Sequence, residues 1–414
     1  MFRRVSAEQR TEITYRAEQW RALSTGILET AGTTFLLLIA ERWYRTGEDA
    51  KALIAVGGSL GLLLSPWVVN LVESRRWKTS QAASKIAAMG CVTFLVAFFF
   101  PHLWVFTACS VIGMACSAAA IPLMTQIYQE NYPDKERGRR FARTLIIRIG
   151  TTALFSELAG RALTARFENF QWLLLIFAVA FAWASIQLSR IPSQTLRLSG
   201  HTHPLRALRF AWSDPVFRIT LISWMLLGFG TLMMQPMRVE YLANPKYGYA
   251  FSAATIALLI GVIPNMVRLV LSPVWGWLFD HINFFALRVT LNIGFAAGIL
   301  TFFISDSFDG FVMGAIIFGI SNSGGDVAWS LWVTKFAPPD RVADYMSVHT
   351  FFTGFRGVLA PIIAFQMIKH GVPLSTLSWV AASLVFFAAL LLIPEIRNNR
   401  KARPVTVLVK EGSE

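Results

Sequence analysis

Residues 64–78 read Leu64-Ser65-Pro66-Trp67-Val68-Val69-Asn70-Leu71-Val72-Glu73-Ser74-Arg75-Arg76-Trp77-Lys78. An apolar run ends there in one acid and a tight basic cluster. The same design returns in the second half of the chain as Leu271-Ser272-Pro273, followed by Gly276-Trp277-Leu278-Phe279-Asp280-His281. Two further pairs keep the same order and nearly the same spacing: Gly113 with Gly319, and Pro133-Asp134-Lys135 with Pro339-Asp340-Arg341. Four matches in register describe an internal duplication, and parallel six-helix repeats are a recurrent architecture of membrane proteins.

The composition around these elements suits a bilayer. Of 414 residues, 55% are hydrophobic and 15% charged, and mean hydropathy is +0.51. A soluble domain carries about 25% charged residues. One spanning helix takes about 20 residues, so twelve take roughly 240 and leave short loops. A soluble enzyme with one anchor is excluded. So is an outer-membrane barrel, whose strands alternate in polarity. Apolar segments fall at about 21–43, 51–72, 80–100, 103–128, 141–163, 170–188, 216–240, 251–279, 284–304, 308–335, 343–368 and 375–394. The reading is an all-α membrane protein of twelve transmembrane helices in two pseudo-symmetric six-helix bundles. Residues 1–188 form the first bundle, 189–215 a central cytoplasmic loop, and 216–414 the second bundle with a short cytoplasmic tail.

The net charge of +14 does not point to nucleic acid, because the basic residues sit in short loops. Arg75 to Lys78, Lys135 to Arg140 and Arg397 to Arg403 all fall on one side of the twelve-span topology. The positive-inside rule makes that side cytoplasmic, together with both termini. The location expected is a bacterial-type inner membrane. Cys91, Cys109 and Cys116 lie in apolar segments and give neither a disulfide nor a zinc spacing. His201 and His203 are two potential ligands in a polar loop, a poor metal site. No nucleophile constellation or phosphate-cradling glycine loop is present, so neither enzyme chemistry nor a cofactor is expected.

With these motifs the chain resembles the major facilitator superfamily of secondary transporters along nearly its whole length. That family's signature between helices two and three is Gly-x-Leu-x-Asp followed by basic residues. Here Asn70-Leu71-Val72-Glu73 has lost the glycine and carries glutamate, while Gly276-Trp277-Leu278-Phe279-Asp280 keeps both. The resemblance implies alternating access by a monomer, with helices one, four, seven and ten lining a cavity. It also implies that helix five meets eight and helix two meets eleven. Cys109 stands where the family's drug exporters carry arginine, and helix five, Gly150-Thr151-Thr152-Ala153-Leu154-Phe155-Ser156-Glu157, lacks their Gly-Pro element.

An ionisable group deep in a bilayer costs several kcal/mol unless it faces a cavity or a partner. Glu29, Arg148, Glu157, Arg268, Asp326 and Arg356 are such groups. Arginine offers a planar fork of donors suited to carboxylate or phosphate. Arg148, Arg268 and Arg356 are therefore candidate substrate ligands, with Asn265, Gln235, Asn322 and Trp329 as neutral neighbours. Trp224 is a further candidate, and Arg356 is expected beside Asp326. Glu29, Asp326 and Glu157 are candidates for proton coupling. Glu73, Asp280, Arg75, Arg76 and Arg341 are expected to hold the cytoplasmic side closed.

The expected partners are the lipid bilayer, a small solute and protons. The function read from the sequence is secondary transport of an anionic or polyhydroxy metabolite, coupled to protons or to exchange. Export of amphipathic cations through Glu29 and Asp326 is the competing reading, and a transporter-like sensor is a third.

Overall fold

The computed structural model describes residues 6–195, 209–335, 337 and 342–397. Among them, twelve long helices run through the molecule. They are α1 Ala7–Arg42, α2 Glu48–Ser74, α3 Thr79–Phe99, α4 Leu103–Asn131, α5 Asp134–Ala165, α6 Phe170–Arg190, α7 Pro215–Ala243, α8 Ala253–His281, α9 Phe284–Ile304, α10 Phe308–Leu331, α11 Val342–Lys369 and α12 Leu374–Leu390. Eleven of the helices in the described residues are long and apolar enough to cross a membrane. The other, α5, has the length but carries Arg143, Arg148, Glu157 and Arg161 along it. The chain is a multi-pass membrane protein.

Helix packing repeats with a period of six helices. In the first half α1 packs on α5, α2 on α4, and α3 on α6. In the second half α7 packs on α11, α8 on α10, and α9 on α12. The halves meet through α2 against α11 and α5 against α8, which are themselves exchanged by the same repeat. Small residues set these approaches. A Cβ at Gly354 of α11 would stand 2.5 Å from the Leu63 backbone nitrogen of α2. A Cβ at Gly160 of α5 would stand 2.6 Å from the Ala257 side chain of α8.

Two helices extend beyond the apolar segments that mark them in the sequence. The first begins at Ala7 rather than near residue 21, capped by Ser6, whose hydroxyl accepts from the Gln9 N–H at 3.1 Å. Its polar first turns stay helical because they have partners. Thr11 Oγ1 donates to the Asn131 carbonyl at 2.6 Å, and Asn131 Nδ2 donates to Thr14 Oγ1 at 2.9 Å. Likewise α5 begins at Asp134, seven residues before its apolar stretch. Hydropathy marks the part of a helix that meets lipid, not where its hydrogen bonds begin.

Direct polar links between the halves concentrate on the face away from the N-terminus. Lys51 is 1% exposed and sits between Glu41 Oε2 at 2.8 Å and Glu240 Oε2 at 2.7 Å. Lys246 reaches Glu240 at 3.0 Å and Glu48 at 3.3 Å. Burial works against the Lys246 ammonium, but Glu240 outweighs it and holds its pKa above the ordinary lysine value. Lys369 and Gln366 both donate to Asp49, at 2.6 and 2.7 Å, and Arg42 donates to the Phe251 carbonyl. Besides these, Arg268 donates to Glu29 across the halves at mid-depth. Among the described residues the ties between the halves thus gather on one face, the sealed one, and thin toward the face where α1 begins, the unlinked one.

Candidate functional site

Midway between the faces, four charged side chains form one chain of contacts. Glu29 of α1 places Oε2 3.0 Å from Arg148 Nε of α5 and Oε1 2.8 Å from Arg268 Nη1 of α8. Arg268 Nε donates to Asp326 Oδ2 of α10 at 2.5 Å, and Arg268 Nη1 also donates to Asn265 Oδ1 at 3.1 Å. All four are among the deep charges named in the sequence, and with the neighbour Asn265 they join both halves. Arg268 is 5% exposed at its side chain, whereas Glu29, Asp326 and Arg148 keep 22%, 30% and 34%. The arginine is buried among its partners, while the carboxylates and Arg148 are half-buried.

Local backbone features bring these groups together. Gly26 lies one turn before Glu29, and a Cβ there would stand 2.6 Å from the Arg148 carbonyl oxygen. Thr152 Oγ1 donates to the Gly26 carbonyl at 3.2 Å, which ties the same two helices. A wide π-helical turn, Ala31–Phe35, follows Glu29, and another, Leu258–Val262, precedes Asn265 and Arg268. Such turns re-aim side chains and are frequent at functional sites. Pro264 cannot donate a backbone hydrogen bond, and Asn265 Nδ2 donates to the Gly261 carbonyl at 2.7 Å.

The other expected site residues are placed differently. Arg356 does not lie with Asp326, which is paired with Arg268. Its guanidinium rests against Gly228 of α7 and donates to the Trp224 carbonyl, inside the second half. Glu157 joins Arg161 at 2.6 Å, one turn away on the same helix, in a pair whose arginine is 74% exposed. That is a local surface pair, not a partner of Arg148. Gln235 and Asn322 are half-buried, and Trp329 packs on His349 with ring centroids 5.4 Å apart. On the unlinked face Glu73 is half-buried, while Arg75, Arg76 and Asp280 are exposed. Arg341, His201 and His203 lie outside the described residues.

Several buried charges escape a reading of the sequence. Lys51 and Glu240 are buried near helix ends, where snorkelling is the ordinary expectation. Arg288, Arg238 and His349 are buried in the second half, at 0%, 2% and 1% exposure. Arg238 stacks on Phe318 at 3.3 Å from the ring centroid. No spacing signals such contacts, because the partners are aromatic rings on other helices.

Comparison with known proteins decides the family. The family model of the Major Facilitator Superfamily matches residues 52–361. The chain belongs to the major facilitator superfamily. Among solved structures, a variant of the nucleoside transporter NupG is similar at TM-score 0.76 and 13% identity, covering 92% of this chain and 99% of that one. A D-xylose-proton symporter follows at TM-score 0.68 and 14% identity, covering 92% and 96%. The human organic anion transporter MFSD10 gives 0.65 and 13%, covering 94% and 100%. At such identities the likeness is one of fold. No curated protein matches the sequence. As a superfamily member the chain is a transporter of small solutes and not an enzyme.

Proposed function

We propose that this superfamily member moves a small anionic solute by alternating access, with a proton carried on Glu29. The observation that carries the reading is the sharing of Glu29 between Arg148 of the first half and Arg268 of the second. While Glu29 is ionised, it occupies both guanidinium groups. Protonation removes one negative charge and frees donors on each arginine for a carboxylate or phosphate. Solute and proton then enter together without leaving net charge in a low-dielectric site. The bound anion takes over the tie between the halves, so the loaded state can close. On release Glu29 loses its proton and reclaims both arginines. Asp326 holds Arg268 throughout and keeps its fork aimed.

Export of cations is disfavoured by the same contacts, since a cation must compete with arginine for Glu29 and Asp326. One observation favours a second reading. Two arginines and two carboxylates cancel, which suits a neutral polyhydroxy solute hydrogen-bonded to Asn265, Gln235 and Asn322. The names of the nucleoside transporter and the xylose symporter state such solutes.

The basic clusters on the unlinked face support cytoplasmic termini in an inner membrane. On this reading the solute reaches the central contacts from the cytoplasmic side. Glu73 and Asp280, with Arg75, Arg76 and Arg341, close that side when the cavity turns outward. A thermal-unfolding screen of the purified protein tests the solute class, because a ligand that binds the native state raises the melting temperature. Stabilisation by carboxylated or phosphorylated metabolites supports the reading. Stabilisation by sugars or nucleosides alone supports the second, and by cationic amphiphiles alone rejects both.

A further inference from the structure

The second half buries positive charge that no carboxylate among the described residues neutralises. Arg288 of α9 is fully buried, and none of its three guanidinium nitrogens has a hydrogen-bond partner. Its guanidinium stacks over Trp224 of α7, 3.5 Å from the ring centroid. Arg356 of α11, 5% exposed, donates Nη1 to the carbonyl of that same Trp224 and leaves Nε unused. Both guanidinium groups thus lie against the same tryptophan. His349 is packed between Trp224, Trp329 and Trp332, with ring centroids 5.6, 5.4 and 5.2 Å away. Its Nε2 has no partner, and neither does Trp224 Nε1. Asn292, one helical turn beyond Arg288, is buried with both polar atoms of its amide unused.

Burial of an ion without a counter-charge is strongly unfavourable. Stacking on an indole offsets part of that, but it satisfies no N–H. The unused groups are nearly all donors: guanidinium, indole and amide N–H, with an imidazole beside them. A group made only of acceptors, with one or two negative charges, answers all of them at once. We propose that Arg288, Arg356, His349 and Trp224 Nε1 form a binding site for a small oxyanion, a phosphate or carboxylate group, within the second half. The site shares no residue with the Glu29–Arg268 contacts and does not depend on what those contacts transport. Arg288 lies near the start of α9 and His349 near the start of α11, so the site is close to the face that carries the basic loops. The oxyanion can be free in solution or belong to an anionic lipid headgroup.

The test uses the purified full-length protein in a neutral detergent. It is titrated with sodium phosphate, sodium acetate and short-chain phosphatidylglycerol, each against sodium chloride at equal ionic strength. Thermal unfolding and calorimetry provide the readouts. Saturable stabilisation of the wild type is expected, weakened at least tenfold in Arg288→Met and retained in Arg148→Gln and Arg268→Gln. Without added anion, Arg288→Met is expected to unfold no lower than the wild type, because it removes an unpaired buried charge. Should Arg288→Met fail to fold, Arg356→Met carries the same comparison. A response to phosphatidylglycerol alone, lost in Arg288→Met, supports the site and identifies the headgroup as its source. No saturable response in the wild type overturns the proposal. So does a response in Arg268→Gln that survives the further change Arg288→Met, or one that vanishes in Arg268→Gln alone, since the anion then does not sit at Arg288.

Discussion

One carboxylate, Glu29, holds a guanidinium on each oxygen: Arg148 Nε at 3.0 Å from Oε2, and Arg268 Nη1 at 2.8 Å from Oε1. Arg148 belongs to the first half and Arg268 to the second. A single proton on this group therefore changes how tightly the halves are joined and how many arginine donors are free.

Glu29→Gln keeps the shape and fixes the side chain in a neutral form. Proton-driven accumulation in proteoliposomes with an imposed pH gradient should fall to the background of empty vesicles. Exchange of labelled for unlabelled solute, which needs no net proton movement, should persist. Accumulation at the wild-type level would remove Glu29 from coupling.

Lys51 sits buried between Glu41 and Glu240 on the sealed face. Lys51→Met leaves two buried carboxylates without their cation. Breaking a buried ion pair from one side costs about 3–5 kcal/mol, and here that cost falls on the sealed arrangement alone. The populations should shift toward opening on that face. Spin labels on the Arg45 and Lys246 loops should report a longer distance in the variant than in the wild type.

Gly354 lets α11 reach α2 so closely that a Cβ would stand 2.5 Å from the Leu63 backbone nitrogen. Backbone cannot yield as a flexible side-chain end can. Gly354→Val should destabilise this packing by about 1–3 kcal/mol, the usual cost of overpacking. Transport should be largely lost while the protein still inserts into the membrane, which separates a packing defect from a folding failure.

Glu73→Gln addresses the unlinked face. If Glu73 helps close it in the outward-facing state, the transport rate should fall severalfold while solute affinity changes little. An unchanged rate leaves Glu73 a role in topology only.

The sequence carries the architecture clearly because the bilayer forces it. Long apolar segments must be helices that satisfy their own backbone, and the Leu64-Ser65-Pro66 and Leu271-Ser272-Pro273 repeat marks the two halves. The same patterns point to Glu29, Arg148, Arg268 and Asp326, since a deep charge is conspicuous in an apolar segment. Pairing is a different matter. Asp326 lies 58 positions from Arg268, and only the packing of α8 on α10 selects it over Arg356. Arg288 is hidden for another reason: near a helix start it reads as a snorkelling residue, and its burial follows from Trp224 on α7.

Uptake by Arg268→Lys tests the central claim most directly, measured in proteoliposomes with the anion that best stabilises the wild type. Lysine keeps the charge but cannot reach Glu29 and Asp326 with one rigid fork. A hydrogen bond to a charged group contributes about 1.5–3 kcal/mol, so uptake at low solute concentration should fall at least tenfold. Wild-type uptake in the lysine variant would contradict the account.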